Sequence, residues 1–117
     1  MILKELKRLR NACVYSWSGV CLSWKDAGAF RSEVFLTPII IVGAVYFTKS
    51  KIELSILLAA WFFVLLTELI NTAIEAVTDL ACGGQYHILA KKAKDCGSAA
   101  VTVAILIFII SCVILVS

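Results

Sequence analysis

The stretch I-L-L-A-A-W-F-F-V-L-L-T-E-L-I-N-T-A-I-E-A-V-T-D, residues 56–79, decides the fold, because acidic side chains follow a lipid-soluble run without a break. At 100° per residue, Glu68, Glu75 and Asp79 fall within about 40° of one another on a helix, with Asn71 about 60° away. A charged side chain at mid-bilayer costs about 2.5–3.5 kcal/mol even on the gentler insertion scales, so such residues tend to face a protein interior or a wet cleft. The stretch therefore predicts a membrane-spanning helix with a functional polar stripe.

Composition places the chain among membrane proteins, since 62% of its residues are apolar and only 16% are charged, whereas a soluble domain has about a quarter charged residues. The single proline and six glycines favour long helices over a transmembrane β-barrel, whose strands need many turns. The five cysteines form no C-x-x-C pair and the one histidine has no thiol nearby, so we expect neither a disulfide framework nor a zinc site. We expect an all-α membrane protein with no nucleic-acid partner.

Three apolar segments predict three transmembrane helices in a single membrane domain, over about residues 28–48, 51–80 and 92–117. The first reaches spanning length only when it is extended back past Phe30, so that Arg31 and Glu33 must snorkel or pair near the interface.

The ends of the second transmembrane helix have clear signals. The sequence S-K-I-E, residues 50–53, predicts a capping box in which the Ser50 hydroxyl caps the helix and Glu53 reaches back. Gly83 and Gly84 offer a left-handed end. We therefore expect the acidic stripe to lie in the second half of one continuous helix.

Residues 1–25 have a different pattern, with apolar residues at spacings of three and four beside a cluster of basic ones. This pattern predicts an amphipathic helix on the membrane surface, with tryptophans at the headgroup level. The alternative is a basic leader that only sets topology. Nine Lys and Arg residues lie on the side of the N-terminus and of the loop 80–98, against two on the other side. By the positive-inside rule, both regions and the open end of the stripe are cytoplasmic.

The stripe can do chemistry of more than one kind. Asn71 and Glu75 lie about 6 Å apart along the axis and can share a hard cation such as Mg²⁺. Glu68, about 10 Å from Glu75 toward the acyl chains, could accept a proton from a lipid hydroxyl. The loop adds K-A-K-D-C-G-S, with Lys94 and Asp95 just before the third span, but the chain has no P-loop and no Gly-rich kinase loop. Spacing alone leaves a metal-assisted enzyme, a transporter with a proton or cation relay, and a structural polar seam open.

Four segments of the sequence resemble the prokaryotic diacylglycerol kinase family. The main block resembles the signature of that family at Glu68, Asn71, Thr72, Ala73, Glu75 and Asp79, although the chain ends it with V-T-D. The block Y-H-I-L-A-K-K-A-K-D-C-G-S-A-A-V, residues 86–101, is similar to a second family segment. Y-S-W-S-G, residues 15–19, and A-F-R-S-E, residues 29–33, look like two shorter ones. The resemblance covers about residues 8–116.

The resemblance implies a small enzyme of the bacterial inner membrane with a surface helix, three spans and its active site at the cytoplasmic side. It implies phosphoryl transfer from MgATP to the free hydroxyl of diacylglycerol, giving phosphatidate. It also implies a homotrimer in which neighbouring chains share composite sites.

Carried over residue by residue, the resemblance implies that Glu68 is the general base. It implies that Mg²⁺ is held by Glu75 and Asn71. The nucleotide contacts it implies are Lys94, Asp95, Asp79, His87 and Tyr15. The lipid substrate is expected at Glu68, Ser98, Arg8 and Trp17.

Two departures from the family pattern concern the metal and phosphate contacts. Ala27 stands where the family has a metal-assisting Glu, and we expect Asp26 to substitute for it. Ser18 stands where a Lys is common in the Y-S-W-K-G segment.

The substrate is open between two lipids within the family. G-S-A-A-V, residues 97–101, favours diacylglycerol over undecaprenol, which some relatives phosphorylate. The rival from a different class is a small oligomeric transporter that uses Glu68 or Glu75 as a proton relay.

Overall fold

Four α-helices and no strands form the computed structural model, which describes residues 1–117. In chain order they are α1 (Ile2–Asp26), α2 (Gly28–Phe47), α3 (Lys51–Cys82) and α4 (Ile88–Val116). The last three are long and apolar enough to cross a membrane. The predicted all-α membrane fold, with an N-terminal helix before three transmembrane helices, is confirmed.

The lengths of the helices place the acidic stripe at a membrane boundary. α2 has 20 residues, which rise about 30 Å and match the hydrocarbon core of a bilayer. α3 has 32 residues, or about 48 Å, and it starts only a short turn after α2 ends. Its surplus of about 18 Å therefore emerges at its far end. Glu68 lies near the boundary of the core, whereas Glu75 and Asp79 lie beyond it.

Local signals fix both ends of α3 as the sequence predicts. Ser50 Oγ accepts a hydrogen bond from the Glu53 N–H at 3.1 Å, and Glu53 Oε2 accepts one from the Lys49 N–H at 2.9 Å. At the other end, Gly83 adopts a left-handed conformation with φ 57° and its N–H donates to the Asp79 carbonyl at 3.1 Å. Because Gly lacks a Cβ, this conformation costs it little.

α4 begins at Ile88, a few residues before the transmembrane segment that the sequence predicts over about residues 92–117. The reason is local: His87 is the N-cap, and its Nδ1 accepts a hydrogen bond from the Leu89 N–H at 3.0 Å. Ser, Thr, Asp and Asn are the side chains on which N-cap recognition rests. For this reason the sequence pattern did not predict that His87 caps α4.

An extended residue, Ala27, separates α1 from α2 and turns the chain. Arg31 closes this junction because its Nη1 donates to the carbonyls of Trp24 at 3.0 Å and Lys25 at 3.2 Å. These carbonyls belong to the last turn of α1, where no helical partner is left for them. The Trp24 ring also packs against Phe35 of α2, with ring centroids 5.1 Å apart.

α3 is the central helix and contacts each of the other three. Its buried face packs Trp61 against Phe108 of α4, with ring centroids 5.1 Å apart. The Trp61 Nε1–H donates to Thr37 Oγ1 of α2 at 2.9 Å, so one side chain joins three helices. Only 12 of the 117 residues are buried, and most large apolar side chains of the three spans face outward. Such a surface is what a bilayer or a neighbouring chain requires.

Candidate functional site

The stripe on α3 runs from a buried end to an open end. Glu68 and Asn71 are each only 7% exposed, whereas Glu75 and Asp79 are exposed. α4 covers the flank of the stripe that carries Asn71, and α1 lies along the opposite flank. A ligand that approached from the open end would meet Asp79 first and Glu68 last.

At the buried end, a second carboxylate accompanies Glu68. Glu33 of α2 lies near Glu68, and its Oε2 is buried without a hydrogen-bond partner. The sequence placed Glu33 only at the membrane interface, and its proximity to Glu68 was missed. The A-F-R-S-E motif, residues 29–33, indicated that Glu33 could be functional, but a motif on one helix does not show which other helix the Glu33 side chain faces.

In the middle of the stripe, Asn71 and Glu75 face each other one turn apart. The Asn71 Nδ2 donates to Glu75 Oε1 at 3.4 Å. The Asn71 Oδ1 is buried without a partner. These two residues are the pair for which the sequence predicts a cation, and one helix positions both.

No three carboxylate, imidazole or thiol groups converge on one point of the chain. Asp26, the third predicted magnesium ligand, lines a groove between α1 and α3 beside Thr72 and Ala76. One chain therefore offers a cation the Glu75 carboxylate, because the Asn71 amide turns its nitrogen to Glu75 and its oxygen toward α4. The other positions are left to water and substrate. Mg²⁺ is commonly bound in this way, through one or two carboxylates plus phosphate oxygens. The donor set fits Mg²⁺ on these grounds.

At the open end, the turn between α3 and α4 forms a depression of about 480 Å³. Four of the five predicted nucleotide residues line it, namely Asp79, His87, Lys94 and Asp95. Lys94 Nζ lies 2.5 Å from Asp79 Oδ1, and Lys91 Nζ lies 2.5 Å from Asp95 Oδ2. Exposed pairs of this kind are weak and exchange partners readily. The depression therefore presents two lysines that an incoming polyphosphate could draw away from carboxylates.

The remaining predicted residues lie apart from this line within one chain. Arg8, Tyr15 and Trp17 are exposed on α1, and Arg8 pairs only with Glu5, at 3.9 Å. Ser98 follows the buried Gly97 on α4 and is itself exposed. None of the three α1 residues, Arg8, Tyr15 and Trp17, lines the depression between α3 and α4.

Sequence comparison shows which known proteins this chain resembles. A family model for prokaryotic diacylglycerol kinase matches residues 14–116. A diacylglycerol kinase of Escherichia coli strain K12 is 38% identical over 109 residues, which cover 92% of this chain and 88% of the relative. A diacylglycerol kinase of Helicobacter pylori strain J99 is 42% identical over 97 residues, 83% of this chain and 75% of the relative. One from Haemophilus influenzae is 37% identical over 102 residues, 87% and 86% of the two chains.

Proposed function

The chain belongs to the prokaryotic diacylglycerol kinase family, and from that premise we propose that it transfers the γ-phosphate of ATP to the hydroxyl of diacylglycerol and yields phosphatidate. The observation that carries the proposal is the order of groups along the α3–α4 seam. Lys94 and Asp79 lie at the open end, Asn71 and Glu75 in the middle, and Glu68 at the buried end. This order suits a water-soluble phosphate donor and a lipid acceptor that approach from opposite sides.

Lys94 takes the role of phosphate ligand at the open end. When ATP binds, its phosphate oxygens replace the Asp79 carboxylate as partner of the Lys94 ammonium, which neutralises charge that grows on the transferred group. Glu75 would hold Mg²⁺, with its carboxylate oriented by the Asn71 amide, and the ion would supply charge neutralisation and alignment of the phosphates. Asp95 and His87 border the same depression, and the His87 Nε2 is free to contact the nucleotide because Nδ1 caps α4.

Glu68 takes the role of general base at the buried end. The lipid hydroxyl oxygen attacks the γ-phosphorus, the bond from that phosphorus to the β–γ bridging oxygen breaks, and ADP leaves. The hydroxyl proton passes to the Glu68 carboxylate. Burial near the membrane boundary excludes water, which would otherwise compete as the acceptor. Ser98, on α4, contacts the lipid substrate in this proposal.

A homotrimer would supply the residues that one chain leaves apart. Arg8, Tyr15 and Trp17 lie on α1 and are exposed, so they can reach the site of a neighbouring chain. The large outward apolar surface of the three spans accommodates such neighbours as well as lipid. We propose that this chain is a single membrane domain of a bacterial inner membrane, and the excess of Lys and Arg at the open end of the stripe supports a site on the cytoplasmic side.

The test is turnover of the purified protein in mixed micelles with diacylglycerol and with undecaprenol, each with ATP and Mg²⁺. Phosphatidate formation that requires Mg²⁺ and exceeds undecaprenyl phosphate formation supports the proposal. Turnover on undecaprenol alone would keep the chemistry and change the acceptor. ATP left unconsumed with both lipids, together with proton flux into proteoliposomes, would contradict the proposal and favour a transporter.

A further inference from the structure

Gly97 on α4 lies directly against Asn71 on α3. Gly97 is buried, and a Cβ built on it would collide with Asn71 Oδ1 and lie 3.2 Å from Asn71 Cγ. Gly97 has ordinary helical geometry, because positive φ angles occur only at Gly83 and Gly84. What this position requires is the absence of a side chain and not conformational freedom.

Gly97 differs in this respect from the other glycines. Gly19, Gly43, Gly83 and Gly84 have no atom within 4 Å of an added Cβ, and at Gly28 the nearest atom is Arg31 Nη2 of the same helix at 3.7 Å. At Gly97 the contact crosses from one helix to another and meets a predicted site residue. The close approach of α3 and α4 at this level therefore depends on Gly97.

The two neighbours of Asn71 fix the orientation of its amide. The carboxylate of Glu75 can only accept hydrogen bonds, so the amide nitrogen must face it, as it does at 3.4 Å. The amide oxygen consequently points toward α4, where it is buried without a partner. Only a residue with no side chain leaves room for it there.

We propose that Gly97 is a positioning residue for the magnesium site, because it holds the Asn71 amide nitrogen against Glu75 Oε1 and so orients the other carboxylate oxygen, Oε2, for the metal. This inference rests on the proposed kinase function. A Cβ at position 97 must push the amide aside, because the atom that it meets is the end of the rotatable Asn71 side chain. This movement takes the Asn71 nitrogen away from Glu75. Mg²⁺ binding should therefore weaken while lipid binding changes little.

The first experiment measures activity of Gly97→Ala against Mg²⁺ concentration and against diacylglycerol concentration. We expect the Mg²⁺ concentration for half-maximal activity to rise about tenfold, the lower range for loss of a group that orients a metal ligand. The KM for diacylglycerol should stay close to its wild-type value. Gly43→Ala is the matched control, since its added Cβ meets no atom within 4 Å, and it should leave both constants unchanged. Equal rises in both constants, or no rise in either, would overturn the proposal.

A second experiment measures thermal stability and not activity, so it also applies if Gly97→Ala folds less stably than the wild type. Thermal unfolding in detergent is compared for the wild type, Gly97→Ala, Asn71→Ala and the double variant, which form a double-mutant cycle. We expect Gly97→Ala to lower the Tm of the wild type but not that of Asn71→Ala, because the shorter side chain leaves room for the Cβ. An equal loss on both backgrounds would overturn the proposal. A wild type without turnover would contradict the kinase proposal instead, and the cycle would still decide whether Gly97 acts through Asn71.

Discussion

Replacement of Lys94 by Met separates the chemistry at the open end from the stability of the fold. The Lys94 and Asp79 side chains are 43% and 62% exposed and their charged atoms lie 2.5 Å apart. An ion pair this exposed contributes little to folding, so the Tm of Lys94→Met should match that of the wild type. A group that neutralises charge on a transferred phosphate contributes much more to the rate. Loss of one comparable transition-state donor lowers kcat about 10²- to 10³-fold.

The assay is phosphatidate formation at saturating ATP and lipid, with Tm measured on the same preparations. Lys92→Met is the matched control, because Lys92 is exposed on the same helix and forms no ion pair. It should keep near wild-type turnover. The reasoning is refuted if Lys94→Met keeps its kcat, or if Lys92→Met loses as much activity as Lys94→Met does.

Two further variants test the packing that positions the site. Thr37→Val removes the acceptor of the buried Trp61 Nε1–H, and hydrogen bonds between membrane helices contribute about 0.6–1.7 kcal/mol, so the Tm in detergent should fall. Thr102→Val loses only a bond to its own helix and should leave the Tm unchanged; equal shifts for the two would refute the role of Trp61. Ser50→Ala removes the cap of α3 and should cost about 1 kcal/mol of unfolding free energy. Ser55→Ala removes a hydroxyl that bonds only a carbonyl within its own helix, so it should cost less. Chemical unfolding of the two variants compares these losses, and an equal loss of unfolding free energy would contradict the role of Ser50 as the cap.

Features with a local cause could be predicted from the sequence. Ser50 and Glu53 lie three residues apart and cap α3 through bonds that span a single turn. Gly83 ends the same helix because it tolerates a left-handed conformation. The stripe on α3 follows from helical geometry alone, and it runs from a buried Glu68 to an exposed Asp79.

Features that depend on contacts between helices could not be predicted in this way. Arg31 was expected to snorkel or pair near the interface, yet it donates to carbonyls at the end of α1. The proximity of Glu33 to Glu68 and the contact of Gly97 with Asn71 depend on how neighbouring helices are rotated and aligned. Apolar periodicity shows which face is buried but not which residue lies opposite.

The most direct test of the central claim is single-turnover phosphoryl transfer by Glu68→Gln, with ATP binding measured on the same protein. Gln keeps the size of Glu68 but cannot accept the hydroxyl proton, and general-base catalysis contributes about 10²- to 10⁴-fold. We predict that phosphatidate formation falls by at least about 10²-fold while ATP binding is retained. Glu53→Gln, at the opposite end of α3, should transfer phosphate at the wild-type rate. Transfer by Glu68→Gln within a few-fold of the wild type would contradict the assignment of Glu68 as the base.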